Sequence, residues 1–295
     1  MQLPNPRSNR SNRFSCAAWL VLLVTIALPF KTTSAQEEGF QPRALRVCQD
    51  PGSLPFSNDA AEGFENRIAA LMAERMALPL ETFWYPQRIN VVRNTIRYKL
   101  PGQSDYRCDL LTGVPAEWGA VSTTRPYYRS TYVLVYVKGR GLEVDSGDAF
   151  LALDRDKLAK LKIGIFDRSP ATRWLKEHDL LDQAVAYNMM NADPTYYPGK
   201  IVDQDLVQGK IDVAILWGPI GGYFAKQAKN VEIEVLPLKS ERGVRFDYPI
   251  AMGVRHGEPG WRATVQAVLD ETRVEIRQIL SDYGVPLVKE GGAPE

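Results

Sequence analysis

The chemically informative residues of this chain are aromatic rings, prolines and arginines, grouped where predicted strands begin and end. Residues 113–129, which read GVPAEWGAVSTTRPYYR, precede a run of β-branched and aromatic residues. Tyr and Trp rings present a large, stiff apolar area with one polar group, which suits stacking on a flat ligand or anchoring a protein partner. This segment therefore favours binding rather than bond-making chemistry.

Several aromatic residues have a structural alternative to a binding role. Phe56, Phe64 and Trp84 are equally consistent with core residues beneath the surface turns, because aromatic rings dominate core energetics. Tyr127 and Tyr128 begin a predicted strand, in which successive side chains point to opposite faces. We therefore expect one of these two rings to point inward and the other outward.

Three arginines near the same turns also have two roles open to them. Arg88, Arg125 and Arg129 suit a bidentate contact with a carboxylate or phosphate group. They equally suit structural ion pairs with nearby acids, or solvated positions on the surface. The sequence leaves both roles open.

Catalytic patterns are scarce in this sequence. The G-x-S-x-G, Walker and H-E-x-x-H motifs are absent. The two histidines, His178 and His256, have neither metal-ligand spacing nor a credible serine nucleophile beside them. Carboxylate catalysis by Glu65 or Glu117 stays open, because acid–base pairs are assembled in space rather than in sequence. We predict a protein that is not an enzyme, with no catalytic residue, no metal site and no cofactor.

The charge balance bears on the class of partner. The chain has 36 Lys and Arg residues against 35 Asp and Glu residues, so it lacks the long-range positive field that attracts nucleic acid. We predict no nucleic-acid partner. With 295 residues, of which 45% are hydrophobic and 24% charged, the chain is long enough for two folded lobes, each with its own core.

The N-terminal segment has the pattern of an export signal. Arginines without acidic residues precede an apolar stretch, residues 17–30, and a small-residue segment follows at 33–35. A retained membrane anchor is the alternative, but the apolar stretch is shorter than the roughly 20 residues that cross a bilayer. We predict a signal peptide at 1–35, cleaved near Ala35, and a periplasmic mature protein that does not span the membrane.

Cleavage of the signal peptide changes the number of cysteines in the mature protein from three to two. It removes Cys16 and leaves Cys48 and Cys108, both in predicted strands. In an oxidising compartment an even pair of this kind often forms a disulfide, which we predict here. Two buried free thiols are the alternative.

Strand and helix patterns alternate along the mature chain. The first predicted unit has strands at 43–49, 80–85 and 108–114, with helices at 64–76 and 89–100. The second has strands at 162–166, 184–190 and 211–217, with helices at 172–183, 201–208 and 219–226. Strands at 233–238 and 248–254 and one long helix at 265–280 complete the chain.

This alternation predicts an α/β fold with parallel strand pairing, built as two α/β lobes around a cleft. Two hinge strands, near 130–135 and 248–254, join the lobes. Open parallel sheets bind ligands at the carboxyl ends of their strands, so the turns there should face the cleft. The predicted segments are a signal peptide at 1–35, lobe 1 at 43–134 plus 249–287, lobe 2 at 135–248 and a flexible tail at 288–295. The predicted ligand- or partner-binding residues beside the cleft are Pro55, Phe56, Phe64, Glu65, Gln87, Arg88, Val114, Pro115, Trp118, Thr123, Arg125, Tyr127, Tyr128, Arg129, Trp217 and Tyr223.

A series of motifs in one order resembles a known family. The motifs are LRVCQDPGSLPFSNDAAEGFENRIAALMAERM, WYPQR, VRNTIR, CDLLTGVP, TTRPYYRSTYVLV, KIDVAILWGPIGGYFA, IAMGVR and ILSDYGVP. Together they resemble the solute-binding-protein-like periplasmic proteins associated with quinoprotein dehydrogenases, of the XoxJ/MoxJ type. The resemblance covers residues 43–287.

The resemblance implies a type II periplasmic-binding-protein fold whose two lobes close over the cleft. It also implies a non-catalytic accessory role beside a PQQ-dependent methanol or alcohol dehydrogenase, in activation or assembly. That enzyme is the expected partner, with its cytochrome c and a small-molecule ligand as further candidates. A solute-binding receptor of an ABC importer is the alternative function.

Amino-acid-binding relatives of this fold commonly carry an arginine soon after the third-strand turn and an acid after a late strand of the second lobe. Here the corresponding stretches contain Trp118 and, after Trp217, no acid. An unpaired ligand charge inside a cleft is costly. We therefore expect a roomy, aromatic-rich cleft and not an ordinary amino-acid site. We also expect Trp118 and Trp217 to face each other across it.

Overall fold

Strands and helices follow each other in the predicted order in the computed structural model, which describes residues 42–86, 90–99, 101–188, 196–241 and 243–295. The predicted signal peptide at 1–35 and the predicted site residues Gln87 and Arg88 lie outside the described residues. Among the described residues, no helix combines the length and the apolar character needed to cross a membrane.

The described residues form twelve strands. They are β1 (Leu45–Gln49), β2 (Gly52–Ser53), β3 (Ser57–Asn58), β4 (Leu80–Trp84), β5 (Leu110–Pro115), β6 (Ser122–Thr123), β7 (Tyr128–Val137), β8 (Ile163–Phe166), β9 (Ala184–Tyr187), β10 (Val213–Trp217), β11 (Ile233–Pro237) and β12 (Asp247–Val254). Of these, β7 and β12, the strands near the predicted hinges, are the longest.

The helices cover the faces of the sheet. They are α1 (Phe64–Arg75), α2 (Val91–Asn94), α3 (Gly147–Leu151), α4 (Arg155–Leu158), α5 (Pro170–Glu177), α6 (Gly218–Gln227), α7 (Pro259–Glu271) and α8 (Arg273–Asp282). A 3₁₀ turn at Leu181–Gln183 and a π-helical segment at Ile201–Leu206 add to them. Pro170 and Pro219 lie in the first turns of α5 and α6, where a missing backbone N–H costs nothing.

Ten of the described strands form one curled sheet, whose main path is β4-β1-β5-β12-β7-β10-β8-β9, with β6 beside β12 and β11 beside β7. Strands β2 and β3 form a separate two-stranded sheet. As predicted, β1 pairs in parallel with β4 and β5, and β8 pairs in parallel with β9 and β10. Strand β12 pairs antiparallel with β5, and β7 pairs antiparallel with β10, β11 and β12. The antiparallel pairs place β12 beside the parallel strands β1, β4 and β5, and place β7 beside the parallel strands β8, β9 and β10.

Strand β7 connects the two halves of the sheet. Its residues Tyr128–Thr131 pair with β12, whereas Tyr132–Tyr136 pair with β10 and Val133–Val137 pair with β11. The side chains of Val133, Leu134 and Val135 are fully buried, which fits a central strand that is covered on both faces. A strand shared in this way fixes the position of the turns at the ends of β5 and β10 relative to each other.

Each half of the sheet has its own hydrophobic core. Helix α1 buries Phe64, Ile68 and Met72 against residues of α7 and α8 such as Val265 and Leu280. In the second half, one cluster centres on Trp174 and Phe150, and another lies beneath α6 and the π-helical segment. These separate cores support the proposed lobes, 43–134 plus 249–287 and 135–248, whose boundaries stay a prediction.

Cys48 and Cys108 form the predicted disulfide, with their Cα atoms 5.6 Å apart. Beside it lies the buried carboxylate of Asp109, which accepts hydrogen bonds from Arg255 Nη2 at 2.5 Å and from Arg46 Nε at 2.6 Å. Arg255 also donates to the carbonyl oxygen of Cys108 at 2.7 Å. Strands β1, β5 and β12 are therefore tied together by covalent, ionic and sheet contacts.

The predicted helix at 89–100 is wrong in length. Helix α2 covers only Val91–Asn94, because Asn90 adopts a left-handed backbone conformation (φ 60°) before it and Thr95 leaves the helical region after it. The stripe residues Ile89 and Leu100 lie outside the described residues. An apolar spacing of three and four residues was therefore not sufficient evidence for a full helix here.

Two further helix predictions need correction. The predicted helix at 265–280 is divided between α7 and α8 at Thr272, whose buried hydroxyl donates to the carbonyl oxygen of Val268 at 2.7 Å, a bond that bends helices. The predicted helix at 172–183 ends at Glu177, because Asp179 has φ 56°. The tail at 288–295 forms backbone hydrogen bonds, including Glu295 N to Leu287 O at 3.1 Å, and its flexibility stays a prediction.

Candidate functional site

A cavity of about 330 Å³ lies at the carboxyl ends of β1, β5 and β10. This is the edge at which open α/β sheets bind ligands. Strands β7 and β12 and the first turn of α1 complete its walls. Its lining residues are Asp50, Ser53, Phe56, Ser57, Glu65, Thr112, Gly113, Pro115, Tyr128, Tyr132, Trp217, Tyr248 and Ile250.

One wall of the cavity is aromatic and centres on Trp217, the last residue of β10. The Trp217 ring meets the Tyr132 ring edge to face, with centroids 5.7 Å apart, and the Tyr248 ring in the same way at 5.9 Å. Register explains the meeting, because Trp217 pairs with Tyr132 across β10 and β7. Edge-to-face contacts of this kind hold each ring in a fixed orientation.

The facing wall carries Phe56 and Tyr128, both supported by the core residue Phe64. Phe64 is fully buried and meets Phe56 at a centroid distance of 5.4 Å and Tyr128 at 6.1 Å. The turn that holds Phe56 lies directly on helix α1, and a Cβ on Gly63 would come 2.1 Å from the Phe56 carbonyl oxygen. A glycine is therefore required at position 63.

Glu65 in the first turn of α1 is a buried carboxyl group in the wall of the cavity. Its side chain lines the cavity, yet the residue is only 2% exposed. Oε1 accepts a hydrogen bond from the Tyr127 hydroxyl at 2.5 Å, and the buried Oε2 has no hydrogen-bond partner. Burial raises the pKa of Glu65 from 4.5 to about 8, against the opposing effect of the hydrogen bond from Tyr127.

Tyr127 is held in place for this contact by the backbone of β5. Gly113 N donates to the Tyr127 hydroxyl oxygen at 3.1 Å. Gly113 has φ 67°, and a Cβ there would lie 3.2 Å from Glu65 Oε1, so glycine suits both the conformation and the space. The expected split of Tyr127 and Tyr128 into one inward and one outward ring is not found, because Tyr127 lies just before β7 and both rings pack against the core of the first half, with centroids 4.9 Å apart.

The turn after β1 is stabilised by polar contacts that also keep Asp50 at the cavity. Asp50 Oδ1 accepts from Gly52 N at 2.9 Å, and the Ser57 hydroxyl donates to the Asp50 carbonyl oxygen at 2.8 Å. Asn66 Oδ1 accepts from the backbone N–H groups of Gly63 and Asn58. The sequence GFEN, residues 63–66, therefore starts helix α1 and also supplies the Asn66 side chain that holds the turn before it through hydrogen bonds.

Of the sequence-predicted site residues, five line the cavity. They are Phe56, Glu65, Pro115, Tyr128 and Trp217. Phe64 and Tyr127 support these residues from behind, and Val114 is buried in the cluster around the disulfide. Pro55 is buried in the turn that carries Phe56.

The predicted arginines are engaged away from the cavity. Arg125 is exposed and forms an ion pair with Asp270 on α7. Arg129 Nη1 lies 2.6 Å from Asp247 Oδ2, across the β7–β12 pair. Both are structural ion pairs, which was the alternative to ligand binding.

Trp118 does not face Trp217 across the cavity. It packs half-buried against the cluster of Cys48, Cys108 and Val114, on the far side of the turn that ends β5. Glu117 next to it is exposed and pairs with Arg245 at 2.9 Å. The turn after β5 therefore contributes Pro115 to the cavity but directs its tryptophan into a core.

Two other predicted residues lie elsewhere. Tyr223 on α6 stacks on Tyr283 with centroids 5.6 Å apart, in the core contact between α6 and the end of α8. The Thr123 hydroxyl donates to the Ala116 carbonyl oxygen at 2.7 Å, a contact that closes the loop after β5.

Eight lining residues were not among the predicted binding residues, although some of them lie in the turns that we expected to face the cleft. They are Asp50, Ser53, Ser57, Thr112, Gly113, Tyr132, Tyr248 and Ile250. Tyr132 lies four residues after Tyr128, and the period of two in a strand puts both side chains on one face, so this residue was open to prediction. Tyr248 was not, because only the pairing of β12 with β7 brings it to the cavity.

Among the described residues, no group of three or more His, Cys, Asp or Glu side chains is arranged to hold a metal ion. The cavity therefore presents aromatic faces, hydroxyl groups and carboxyl groups, a set that suits recognition of a ligand through stacking and hydrogen bonds.

No protein-family model matches the sequence. Among solved structures, the chain is similar to the periplasmic binding protein XoxJ from Methylobacterium extorquens AM1, with 36% identity and a TM-score of 0.67 over 84% of this chain and 100% of that one. The chain belongs to the XoxJ/MoxJ family. The predicted family and the periplasmic-binding-protein fold are both confirmed.

The chain is similar to two other proteins over a comparable share of its length. MxaJ from Methlophaga aminisulfidivorans MPT is 25% identical with a TM-score of 0.67, and covers 83% of this chain and 100% of its own. Protein MoxJ of Paracoccus denitrificans is 28% identical over 257 residues, 83% of this chain and 89% of its own. The likeness thus extends over most of this chain.

Proposed function

We propose that this XoxJ/MoxJ protein is a non-catalytic periplasmic accessory protein of a PQQ-dependent methanol or alcohol dehydrogenase. In this proposal the cavity binds a segment of that enzyme, or a small ligand, and so supports activation or assembly of the enzyme. The signal pattern at 1–35 and the description of the XoxJ relative as a periplasmic binding protein support a periplasmic location.

The observation that carries this proposal is the aromatic wall of Tyr132, Trp217 and Tyr248 beside the buried Glu65. Rings that are held in fixed orientations bind a partner with little loss of side-chain entropy, and such residues dominate the energetics of interfaces. Arg125 and Arg129, which an amino-acid carboxylate would need, are occupied by Asp270 and Asp247. These features favour a ligand other than an ordinary amino acid.

The test is capture of the purified dehydrogenase by immobilised protein, with Trp217→Ala as the variant. We expect Trp217→Ala to weaken capture by about tenfold or more, because it removes the central ring of the wall. Trp118→Ala is the matched control, since Trp118 packs against the disulfide cluster. The control should keep capture while losing about 1–3 kcal/mol of unfolding free energy. Equal capture by wild type and Trp217→Ala would contradict the proposal.

A receptor for a small solute is the second candidate function, favoured by the cavity volume of about 330 Å³, which is small for a protein segment. Ligand pockets begin at about 300 Å³. Calorimetric screening of small organic solutes separates the two candidates. Micromolar binding of a solute, together with no capture of the dehydrogenase, would support the receptor and overturn the accessory role.

A further inference from the structure

The chemistry of the cavity points to one class of ligand group. Among its described lining residues, those that carry an ionisable carboxyl are Asp50 and Glu65, while Phe56, Tyr128, Tyr132, Trp217 and Tyr248 supply aromatic rings. Carboxylates attract cations by charge, and the faces of aromatic rings attract them through the ring quadrupole. An anion is disfavoured in this cavity, because the carboxylates and the faces of the aromatic rings would both repel it.

Glu65 gives this argument a specific atom. Its Oε2 is buried and has no hydrogen-bond partner, although Oε1 is fixed by Tyr127. Buried polar atoms are nearly always paired, so an unpaired acceptor in a cavity wall indicates a group that a ligand completes. A donor that also carries positive charge would satisfy Oε2 and offset the cost of ionising Glu65.

The rings already attract a cation within the protein. The guanidinium of Arg245 lies 4.9 Å from the centroid of the Tyr248 ring. That guanidinium is held by Glu117 through a 2.9 Å ion pair, and Arg245 is not among the lining residues of the cavity. The Tyr132 and Trp217 rings line the cavity and are the rings that we expect a cation from outside to contact.

We propose that the cavity binds an organic ammonium or guanidinium group, with Glu65 as its counter-ion and the Tyr132–Trp217–Tyr248 wall as its cation–π surface. The group comes either from a free organic cation or from a basic side chain of the partner protein. This inference rests on the proposed function only in using the same cavity.

The proposal makes binding depend on pH in a defined direction. The groups that face Glu65 are Tyr127, Thr112 and Gly113, with Tyr128 and Asp50 in the same cavity. Burial keeps the pKa of Glu65 near 8, so a cation must displace a proton below that pH. Affinity for a cation of fixed charge therefore rises as pH increases to about 8 and levels off above it. A neutral ligand that accepts a hydrogen bond from the protonated acid shows the opposite trend.

Choline and 3,3-dimethylbutan-1-ol are suitable probes, because they share a shape and differ in the fixed positive charge. Calorimetric titration of the full mature chain at about pH 6 and about pH 9 measures both. We expect choline to bind at least about tenfold more tightly than the neutral isostere at the higher pH. We also expect its affinity to rise by roughly tenfold to hundredfold between the two pH values.

The variants test the two walls separately. Glu65→Gln keeps the size of the side chain and removes its charge, so choline binding should fall to the low-pH value and lose its pH dependence. Glu74→Gln, on the exposed side of the same helix, is the matched control and should behave as wild type. Trp217→Phe should retain binding better than Trp217→Ala, since Phe keeps a ring at this position. Circular dichroism of each variant establishes that it is folded.

The outcomes separate this inference from the proposed function. No preference for choline over its isostere, or an affinity that falls as pH rises, overturns the inference even if the dehydrogenase is captured. Preference for choline with no capture of the dehydrogenase supports the inference and overturns the proposed function. If choline displaces a captured dehydrogenase, the cation is a basic side chain of the partner. Binding of choline without displacement assigns the cavity to a free organic cation.

Discussion

At the scale of single residues, the cavity depends on contacts that place one carboxyl group out of water. Glu65 is buried, accepts a hydrogen bond from the Tyr127 hydroxyl, and lies so close to Gly113 that a Cβ there would come 3.2 Å from Oε1. Glu117, the other glutamate for which the sequence left carboxylate catalysis open, is exposed, and the hydrogen bond from Arg245 lowers its pKa. Two glutamates that look equivalent in the sequence therefore have opposite electrostatic settings.

The raised pKa of Glu65 predicts how stability changes with pH in the free protein. In the folded state the carboxyl group stays protonated up to about pH 8, whereas in the unfolded chain it ionises near 4.5. Between these values the folded state binds more protons, so the unfolding free energy falls as pH rises, by up to about 1.4 kcal/mol per pH unit. Below pH 4.5 this contribution is fully present, and above about pH 8 it is lost.

Glu65→Gln should remove this slope. Urea unfolding of wild type and variant across the window from 4.5 to about 8 measures the difference. We expect the variant to gain stability relative to wild type as pH rises. Parallel curves for the two proteins would mean that Glu65 ionises normally in the folded state.

At the scale of elements, the site depends on how β1, β5 and β12 are joined behind it. The Asp109 carboxylate at the start of β5 is buried between Arg46 of β1 and Arg255, the residue after β12. The disulfide between Cys48 and Cys108 lies beside this network. The turns after β1 and β5 form one side of the cavity. The ion pairs and the disulfide therefore hold these two turns in position relative to each other.

Removing one partner from this buried network should be costly. Arg255→Leu leaves Asp109 with Arg46 as its remaining cation and also removes the donor to the Cys108 carbonyl oxygen. We expect a loss of about 3–5 kcal/mol in unfolding free energy, measured by chemical denaturation. Arg75→Leu is the control, because Arg75 pairs with Glu271 and Glu275 on the surface, and it should cost less than about 1 kcal/mol. Equal losses in both variants would show that burial of the network adds no stability.

At the scale of the whole molecule, the cavity draws on both proposed lobes. Phe56, Glu65 and Pro115 come from proposed lobe 1, whereas Trp217 and Tyr248 come from proposed lobe 2. A ligand shifts a conformational equilibrium only through contacts that differ between the two states. A ligand that touches both walls therefore favours closure of the lobes.

Small-angle X-ray scattering measures this closure. We expect the radius of gyration of the wild-type protein to decrease when choline saturates the cavity. Trp217→Ala should show no decrease at the same choline occupancy, because the contact to proposed lobe 2 is reduced. An unchanged radius for wild type at full occupancy would mean that the protein binds without closing.

Local sequence pattern by itself determined much of the fold. The apolar spacing in α1, the β-branched runs of β7 and β10, and Pro219 at the start of α6 each specify an element through interactions within a few residues. The parallel pairing of β1 with β4 and β5 also followed, because alternating strands and helices leave few other topologies. The disulfide followed from the count of cysteines that remain in the exported chain.

Only the tertiary structure decided which of the aromatic residues form the site. Trp118 and Trp217 both follow strand ends in the sequence, but one enters the cluster around the disulfide and the other enters the cavity. Tyr248 reaches the cavity through antiparallel pairing with a strand more than a hundred positions earlier in the chain. The physical reason is that periodicity reports which face of an element is apolar, whereas a cavity depends on which elements come together and on the burial that their contact creates.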